Sequence, residues 1–159
     1  MAEDLRIRLD DLQDPRIAAF LEEHLVDMRR VSPPESVHAL DLEGLRQPDI
    51  LFWTAWIDLP SGEALVATAA LKRLGDRHAE LKSMRTVASL RGQGIAGRML
   101  AHVIAEARAR GHTRLSLETG SQPFFAPAHA LYEKHGFEAC APFGTYIDDP
   151  HSRFMTRML

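Results

Sequence analysis

The sequence predicts a mixed α/β fold, with helices flanking a mostly antiparallel sheet, in one domain spanning residues 1–159. Short runs that alternate apolar and polar residues, as half-buried strands do, stand between longer runs with helical spacing. Three strand-like runs in succession are separated only by short turns, which favours antiparallel pairing. The length of 159 residues also suits a single core. The predicted element order is β-α-α-β-β-β-α-β-α-β-β.

The first elements are a strand and two helices. Residues 5–9 alternate apolar and charged side chains and predict the strand. Asp14 and Pro15 suit the N-cap and first position of a helix. The helix is amphipathic because these residues follow at helical spacing: Ile17, Phe20, Leu21, His24, Leu25 and Met28. Prolines at 33 and 34 end it, and a second, shorter helix is predicted over residues 37–45, opened by Ser36.

Three strands follow, over residues 51–58, 64–74 and 79–87. Pro60-Ser61-Gly62 and Gly75-Asp76 supply the turns between them. Trp53 and Trp56 fall on opposite faces of the first of these strands, so core packing is the expected role for both.

The second half of the chain predicts two further helices and three strands. One face of the longer helix carries Ile95, Met99, Val103, Ile104 and Ala107, and Gly111 ends it. Residues 114–118 predict a strand, and residues 127–135 predict a short helix stopped by Gly136. The closing strands are predicted over residues 137–143 and 152–158.

Composition and charge exclude several function classes. The net charge of −3 and the pI near 6.2 give no basic field, so we expect neither a nucleic-acid partner nor a membrane surface. The N-terminus lacks the build of a signal peptide and no apolar run reaches the ~20 residues of a membrane span, so we expect a cytoplasmic protein. Cys140 is the single cysteine and is expected to be a buried thiol. The eight histidines show no paired ligand spacing, so no metal is predicted.

A glycine-rich loop between a strand and a helix is the most informative motif. It comprises Arg91, Gly92, Gln93, Gly94, Ile95 and Ala96. Glycines allow a ligand to approach the backbone closely, and the free N–H groups at a helix N-terminus attract phosphate. Arg91 adds a fixed cation with two parallel donors. The loop therefore predicts a site for the pyrophosphate of a cofactor.

The same loop also fits the dinucleotide fingerprint, through Gly92, Gly94 and Gly97, with Glu118 at the end of the next strand. The context opposes this interpretation. The strand before a dinucleotide loop is usually apolar on both faces, whereas residues 80–85 alternate with charges. The phosphate loop of nucleotide hydrolases is excluded because no Gly-Lys-Ser/Thr follows.

Residues 80–137 resemble the GNAT superfamily of acyl-CoA-dependent N-acyltransferases. Its first signature, Arg/Gln-x-x-Gly-x-Gly/Ala, is met by Arg91, Gly94 and Ala96. The second, Ala-x-x-Leu-Tyr-x-x-x-Gly-Phe, is met by Ala128, Leu131, Tyr132, Gly136 and Phe137. The resemblance implies a GNAT-like fold, acetyl-CoA as acyl donor, a small-molecule or peptide amine as acceptor, and direct attack in a ternary complex. Homodimers are common in that family, and beyond this habit the sequence gives no indication of the oligomeric state. Phe125 departs from the pattern, because many members carry a cofactor-contacting asparagine there.

The resemblance also implies roles for particular residues. Tyr132 resembles the general acid that protonates the leaving thiolate, and Glu80 resembles the general base of some members. Cofactor contacts are implied for Met84 and Thr86, with the N–H near Met84 stabilising the oxyanion at a β-bulge.

Several points stay open at the level of the sequence. Glu118 and His38 are alternative bases. Strand alternation predicts that Glu80, Lys82, Met84 and Thr86 share one face of the sheet, so that Lys82 pairs with Glu80. A non-catalytic acyl-CoA binder or sensor and a nicotinamide oxidoreductase are the alternatives from other functional classes.

Overall fold

A computed structural model describes residues 4–159 as one seven-stranded sheet with helices on both faces. The strands are β1 (Arg6–Leu9), β2 (Ile50–Leu59), β3 (Gly62–Arg73), β4 (His78–Thr86), β5 (Arg114–Gly120), β6 (Glu138–Ala139) and β7 (Ser152–Met158). The helices are α1 (Pro15–Val31), α2 (Leu42–Leu45), α3 (Ile95–Ala109) and α4 (Ala126–Lys134). None of the helices described between residues 4 and 159 combines the length and the apolar character that spanning a bilayer requires.

The sheet order is β1-β2-β3-β4-β5-β7-β6. β4 and β5 are parallel and are connected through α3, whereas the other neighbouring strands described here run antiparallel. The predicted mixed, mostly antiparallel sheet is confirmed. A doubly wound parallel sheet, which the dinucleotide alternative needs, is not what this chain forms.

Two apolar clusters pack on opposite faces of the sheet. The larger one joins α3 to Trp53, Leu71 and Leu115. The smaller one joins α1 and α2 to Phe52 and Trp56. Both tryptophans are buried, on opposite faces as predicted, and their bulk fixes where the helices lie against the sheet.

Two predicted elements are wrong in extent. The second helix begins at Leu42 instead of residue 37, because the side chain of Asp41 accepts a hydrogen bond from the Gly44 N–H at 2.9 Å and caps it there. Ser36, predicted to open that helix, lies in a short 3₁₀ turn, Pro34–Ser36. The strand predicted over 137–143 is reduced to Glu138–Ala139, and Pro142 has no N–H to continue the ladder with β7.

Candidate active site

β4 and β5 pair over only part of their length. Their parallel pairing ends at Leu81 opposite Leu117, although the strands continue to Thr86 and Gly120. Beyond the last pair a cleft of about 460 Å³ opens, bounded by the segment after α1, the loop before α3, and α4. This volume is within the range of small-molecule sites.

A β-bulge in β4 lies at the point where the strands separate. Ala70 pairs with Lys82 and Thr68 with Arg85, so Ser83 and Met84 together oppose the one residue between them on β3. Ser83 has a φ of 53°, a left-handed conformation that is uncommon for serine. The bulge near Met84 that the family resemblance implied is therefore present.

The bulge corrects the prediction that Glu80, Lys82, Met84 and Thr86 share one face of the sheet. Met84 packs against the apolar cluster on the α3 side. Arg85 instead lies on the α1 side, where it donates a hydrogen bond to Asp27 at 2.8 Å. The extra residue breaks the alternation of period two after Lys82, and no feature of the sequence marks that break.

The glycine loop has the form expected of an anion site. Gly92 and Gly94 have φ values of 80° and 83°, and Gly94 is the N-cap of α3. No side chain caps this end, so the N–H groups of the first helical turn have no partner inside the helix. The side chain of Arg91 is exposed and forms no salt bridge within residues 4–159.

All but one of the predicted cofactor-binding residues line the cleft. Its lining includes Met84, Thr86, Arg91, Gly92, Gly94, Ile95 and Ala96. Gln93 is exposed and does not line the cleft. Phe125, which takes the place of the family asparagine, is buried and packs so closely on Gly120 that a Cβ there would lie 2.0 Å from its ring. Phe125 thus forms an apolar wall of the cleft.

Tyr132 projects from α4 into the cleft lining. Its ring packs at 5.8 Å from the ring of Phe137, and its hydroxyl forms no hydrogen bond with the described part of the chain. Burial raises the pKa of Tyr132, and the charge of Glu118 raises it further. The phenol is therefore held protonated at neutral pH, as a general acid requires.

Glu80 is buried in a network that the sequence only partly revealed. Its Oε2 lies 3.1 Å from Lys82 Nζ and accepts a hydrogen bond from the Tyr146 hydroxyl at 2.5 Å. Lys82 also donates to that hydroxyl, at 2.8 Å. The predicted pairing of Lys82 with Glu80 is confirmed. Tyr146 was missed because it lies in an irregular loop, far along the chain from Glu80.

Glu118 is the first residue of β5 beyond the last pair with β4. It lines the cleft and forms no salt bridge within residues 4–159, and the nearby Ser152 hydroxyl is a neutral hydrogen-bonding neighbour. Burial raises its pKa from 4.5 to about 7. This carboxyl group is balanced between its two protonation states at neutral pH.

The segment after α1 meets the loop between β6 and β7 at the far end of the cleft. Ser36 donates a hydrogen bond to Asp149 at 2.5 Å, and the ring of His38 packs edge-on at 5.0 Å from that of Tyr146. Burial lowers the pKa of His38, with the nearby Lys82 as the second cause. These contacts place His38 in the cleft lining together with Glu80 and Glu118.

Comparisons with known proteins agree with this architecture. A family model described as the Acetyltransferase (GNAT) family matches residues 17–137. The uncharacterized N-acetyltransferase YsnE of Bacillus subtilis (strain 168) is 50% identical over 98% of this chain and 100% of its own length. An IAA acetyltransferase of Azospirillum brasilense is 39% identical over 96% of this chain and 95% of its own. A solved Bacillus subtilis acetyltransferase in complex with CoA is 18% identical and shares the fold with a TM-score of 0.67, over 98% of this chain and 99% of that one.

Proposed function

Because the chain belongs to the GNAT family of acetyltransferases, we propose that it transfers an acetyl group from acetyl-CoA to a primary amine of a small molecule or peptide. The observation that carries the proposal is the cleft between β4 and β5. The cleft is lined by an uncapped helix N-terminus with Arg91, by Tyr132, and by two carboxylates, Glu80 and Glu118.

The donor binds on the side of the glycine loop. The pyrophosphate of acetyl-CoA accepts hydrogen bonds from the first-turn amides of α3, and Arg91 adds a charged pair. The thioester then reaches the gap where β4 and β5 separate. The solved acetyltransferase with bound CoA supports the choice of donor, because this chain shares its fold.

The reaction has three requirements that residues of this chain can meet. The acceptor ammonium must lose a proton, the developing oxyanion needs a donor, and the departing sulfur needs a proton. A backbone N–H at the Ser83–Met84 bulge suits the oxyanion, since the bulge leaves one residue out of the ladder. Tyr132 protonates the sulfur, because its buried hydroxyl remains a phenol at neutral pH.

Turnover with an amine panel tests the proposal. Purified protein, acetyl-CoA and single amines are combined, and release of the free thiol of CoA is followed with acetylated amine measured by mass. The panel contains amino acids, polyamines, aryl-alkylamines and short peptides, and IAA is assayed beside it because one relative carries IAA in its name. A protein that binds acetyl-CoA but releases no thiol with any acceptor would be an acyl-CoA binder or sensor instead.

A further inference from the structure

Glu80 is poorly suited to accept a proton in this structure. Its ion pair with Lys82 is almost dry, with side-chain exposures of 8% for Lys82 and 3% for Glu80. The same carboxylate oxygen accepts the short hydrogen bond from Tyr146. Both partners donate to this one carboxylate oxygen, so a proton taken up by Glu80 would leave the buried ammonium of Lys82 without its counter-ion.

Glu118 lies on the same face of the sheet as Glu80, but no ion-pair partner within residues 4–159 holds it. Ser116 pairs with Glu80 across the β4–β5 ladder, and Glu118 follows two positions later on β5, where β4 has already diverged. Its carboxylate reaches the cleft without an ion pair from residues 4–159, and the neutral Ser152 hydroxyl is its hydrogen-bonding neighbour. The charge of Glu118 raises the pKa of Tyr132, so the two groups are near one another.

On the basis of the proposed acetyltransferase function, we propose that Glu118, and not Glu80, accepts the proton from the acceptor amine. Glu80, Lys82 and Tyr146 then form a hydrogen-bonded group beside it, which ties the loop between β6 and β7 to β4.

The titration of Glu118 supports this assignment. Burial raises its pKa to about 7, close to the value at which a general base works best near neutral pH. The ionisable groups that act on Glu118 come from three neighbouring elements: Glu80 and Lys82 on β4, Tyr132 on α4, and Tyr146 and Asp149 on the loop before β7. A hydrogen bond from Ser152 and the charge of Lys82 oppose the rise in the pKa, while the charges of Glu80 and Asp149 add to it.

The proposed step balances as follows. Glu118 takes one proton from the acceptor ammonium, and the freed lone pair forms the N–C bond to the thioester carbonyl. The C–S bond breaks, and the sulfur takes the proton of the Tyr132 hydroxyl. The second proton of the attacking nitrogen returns to the Tyr132 oxygen, and Glu118 gives its proton to solvent, so one proton is released per amide formed.

The test compares pH–rate profiles of kcat/KM for the wild type, Glu118→Gln and Glu80→Gln. We expect Glu118→Gln to lose about 10²- to 10⁴-fold at neutral pH and to recover partly as the pH approaches the pKa of the amine, ~10. In the wild type, kcat/KM should rise with pH as the base ionises near pH 7. Glu118→Gln should lack this limb of the profile, while Glu80→Gln should keep it. Calorimetry with CoA verifies that each variant retains its fold and its donor site.

If Glu80→Gln does not fold, Tyr146→Phe replaces it in the test. This variant removes the hydrogen bond from Tyr146 to Glu80 but leaves the buried carboxylate in place. If Glu80 were the base, Tyr146→Phe would move the limb near pH 7. If Glu118→Gln does not bind CoA, Glu118→Asp replaces it in the test. This variant withdraws the carboxylate by one methylene, so it should keep the limb near pH 7 at a reduced rate. A Glu118→Gln profile identical to wild type overturns the assignment. A wild type without turnover overturns the proposed function itself.

Discussion

The Tyr146 hydroxyl lies 2.5 Å from Glu80 Oε2 and donates a hydrogen bond to it. This bond joins the loop before β7 to the middle of β4, beside the cleft. Burial raises the pKa of Tyr146, with the charge of Glu80 as the next cause, so the phenol remains a donor through the neutral range.

Tyr146→Phe should lower the free energy of unfolding by about 1.5–3 kcal/mol, the range for a hydrogen bond to a charged group. Urea unfolding measures the change. Tyr132→Phe is the matched control, because the hydroxyl removed there has no hydrogen-bond partner within residues 4–159. Equal losses in the two variants would contradict the importance of the bond to Glu80.

Arg91→Ala should weaken acetyl-CoA binding by about 1.5–3 kcal/mol, the scale of a charge-assisted hydrogen bond. Arg108→Ala is the control, since it removes the same charge at the opposite end of α3, away from the cleft. Isothermal titration calorimetry distinguishes them. An unchanged dissociation constant for Arg91→Ala would place the pyrophosphate elsewhere.

Tyr132→Phe should lower kcat by roughly 10²- to 10⁴-fold and leave the affinity for acetyl-CoA nearly intact, because a general acid acts only as the C–S bond breaks. An acyl donor whose thiol has a lower pKa should reduce the loss, since a better leaving group needs less protonation. Steady-state kinetics with both donors, and calorimetry with CoA, check this. Weakened CoA binding with an unchanged kcat would instead assign Tyr132 to cofactor contact.

The raised pKa of Glu118 predicts a pH dependence of stability. Between about pH 4.5 and pH 7, the folded protein binds more protons at this residue than the unfolded chain, so its contribution to stability falls as the pH rises and then stays constant. The loss is on the order of 2–3 kcal/mol, allowing for partial contact with solvent. The glutamine of Glu118→Gln cannot ionise. The free energy of unfolding of this variant should therefore increase relative to that of the wild type as the pH rises from 4 to 8.

The difference between Glu118→Gln and wild type is the quantity to measure, by urea unfolding across that range. His24, whose pKa burial lowers to about 4, destabilises both proteins in acid. Its contribution is the same in each and cancels in the difference. A difference independent of pH would show that Glu118 titrates normally in the folded protein.

The bulge in β4 makes Ser83 a sensitive position. Its φ of 53° suits glycine, and its buried hydroxyl has no hydrogen-bond partner in the described region. Ser83→Gly should therefore be as stable as wild type or more stable by up to about 1 kcal/mol. Ser83→Val should cost on the order of 2 kcal/mol, because a β-branched residue is strained in this conformation. Thermal unfolding ranks the three proteins, and a stable valine variant would contradict the bulge.

Local patterns predicted most of this fold. The helical spacing from Ile95 to Ala107 and the stop at Gly111 place α3 nearly to the residue. The second helix was mislocated because Asp41 and Ser36 are both good N-caps, and only the tertiary contact of Ser36 with Asp149 decides between them.

The sequence predicted those parts of the site that depend on residues close together in the chain. It did not predict the parts that depend on contacts between residues far apart in the chain. The glycine loop and the position of Tyr132 follow from short motifs. The partnership of Tyr146 with Glu80 joins positions with no shared period, so spacing could not show it. Glu118 was visible as a carboxyl group, but its burial and its pairing with Phe154 of β7 are tertiary features that its own sequence context does not indicate.

Where β4 and β5 separate, after Leu81 and Leu117, each strand has an unpaired edge inside the molecule. These edges are additional to the outer edges of the sheet at β1 and β6. A free strand edge on the outside of a protein is a template for another chain and promotes aggregation. Here the start of α3, α4 and the segment after α1 enclose these inner edges and leave only a slot. A slender ligand can reach the unpaired backbone groups, but a second sheet cannot, so the chain keeps them free for recognition without exposing a surface for aggregation.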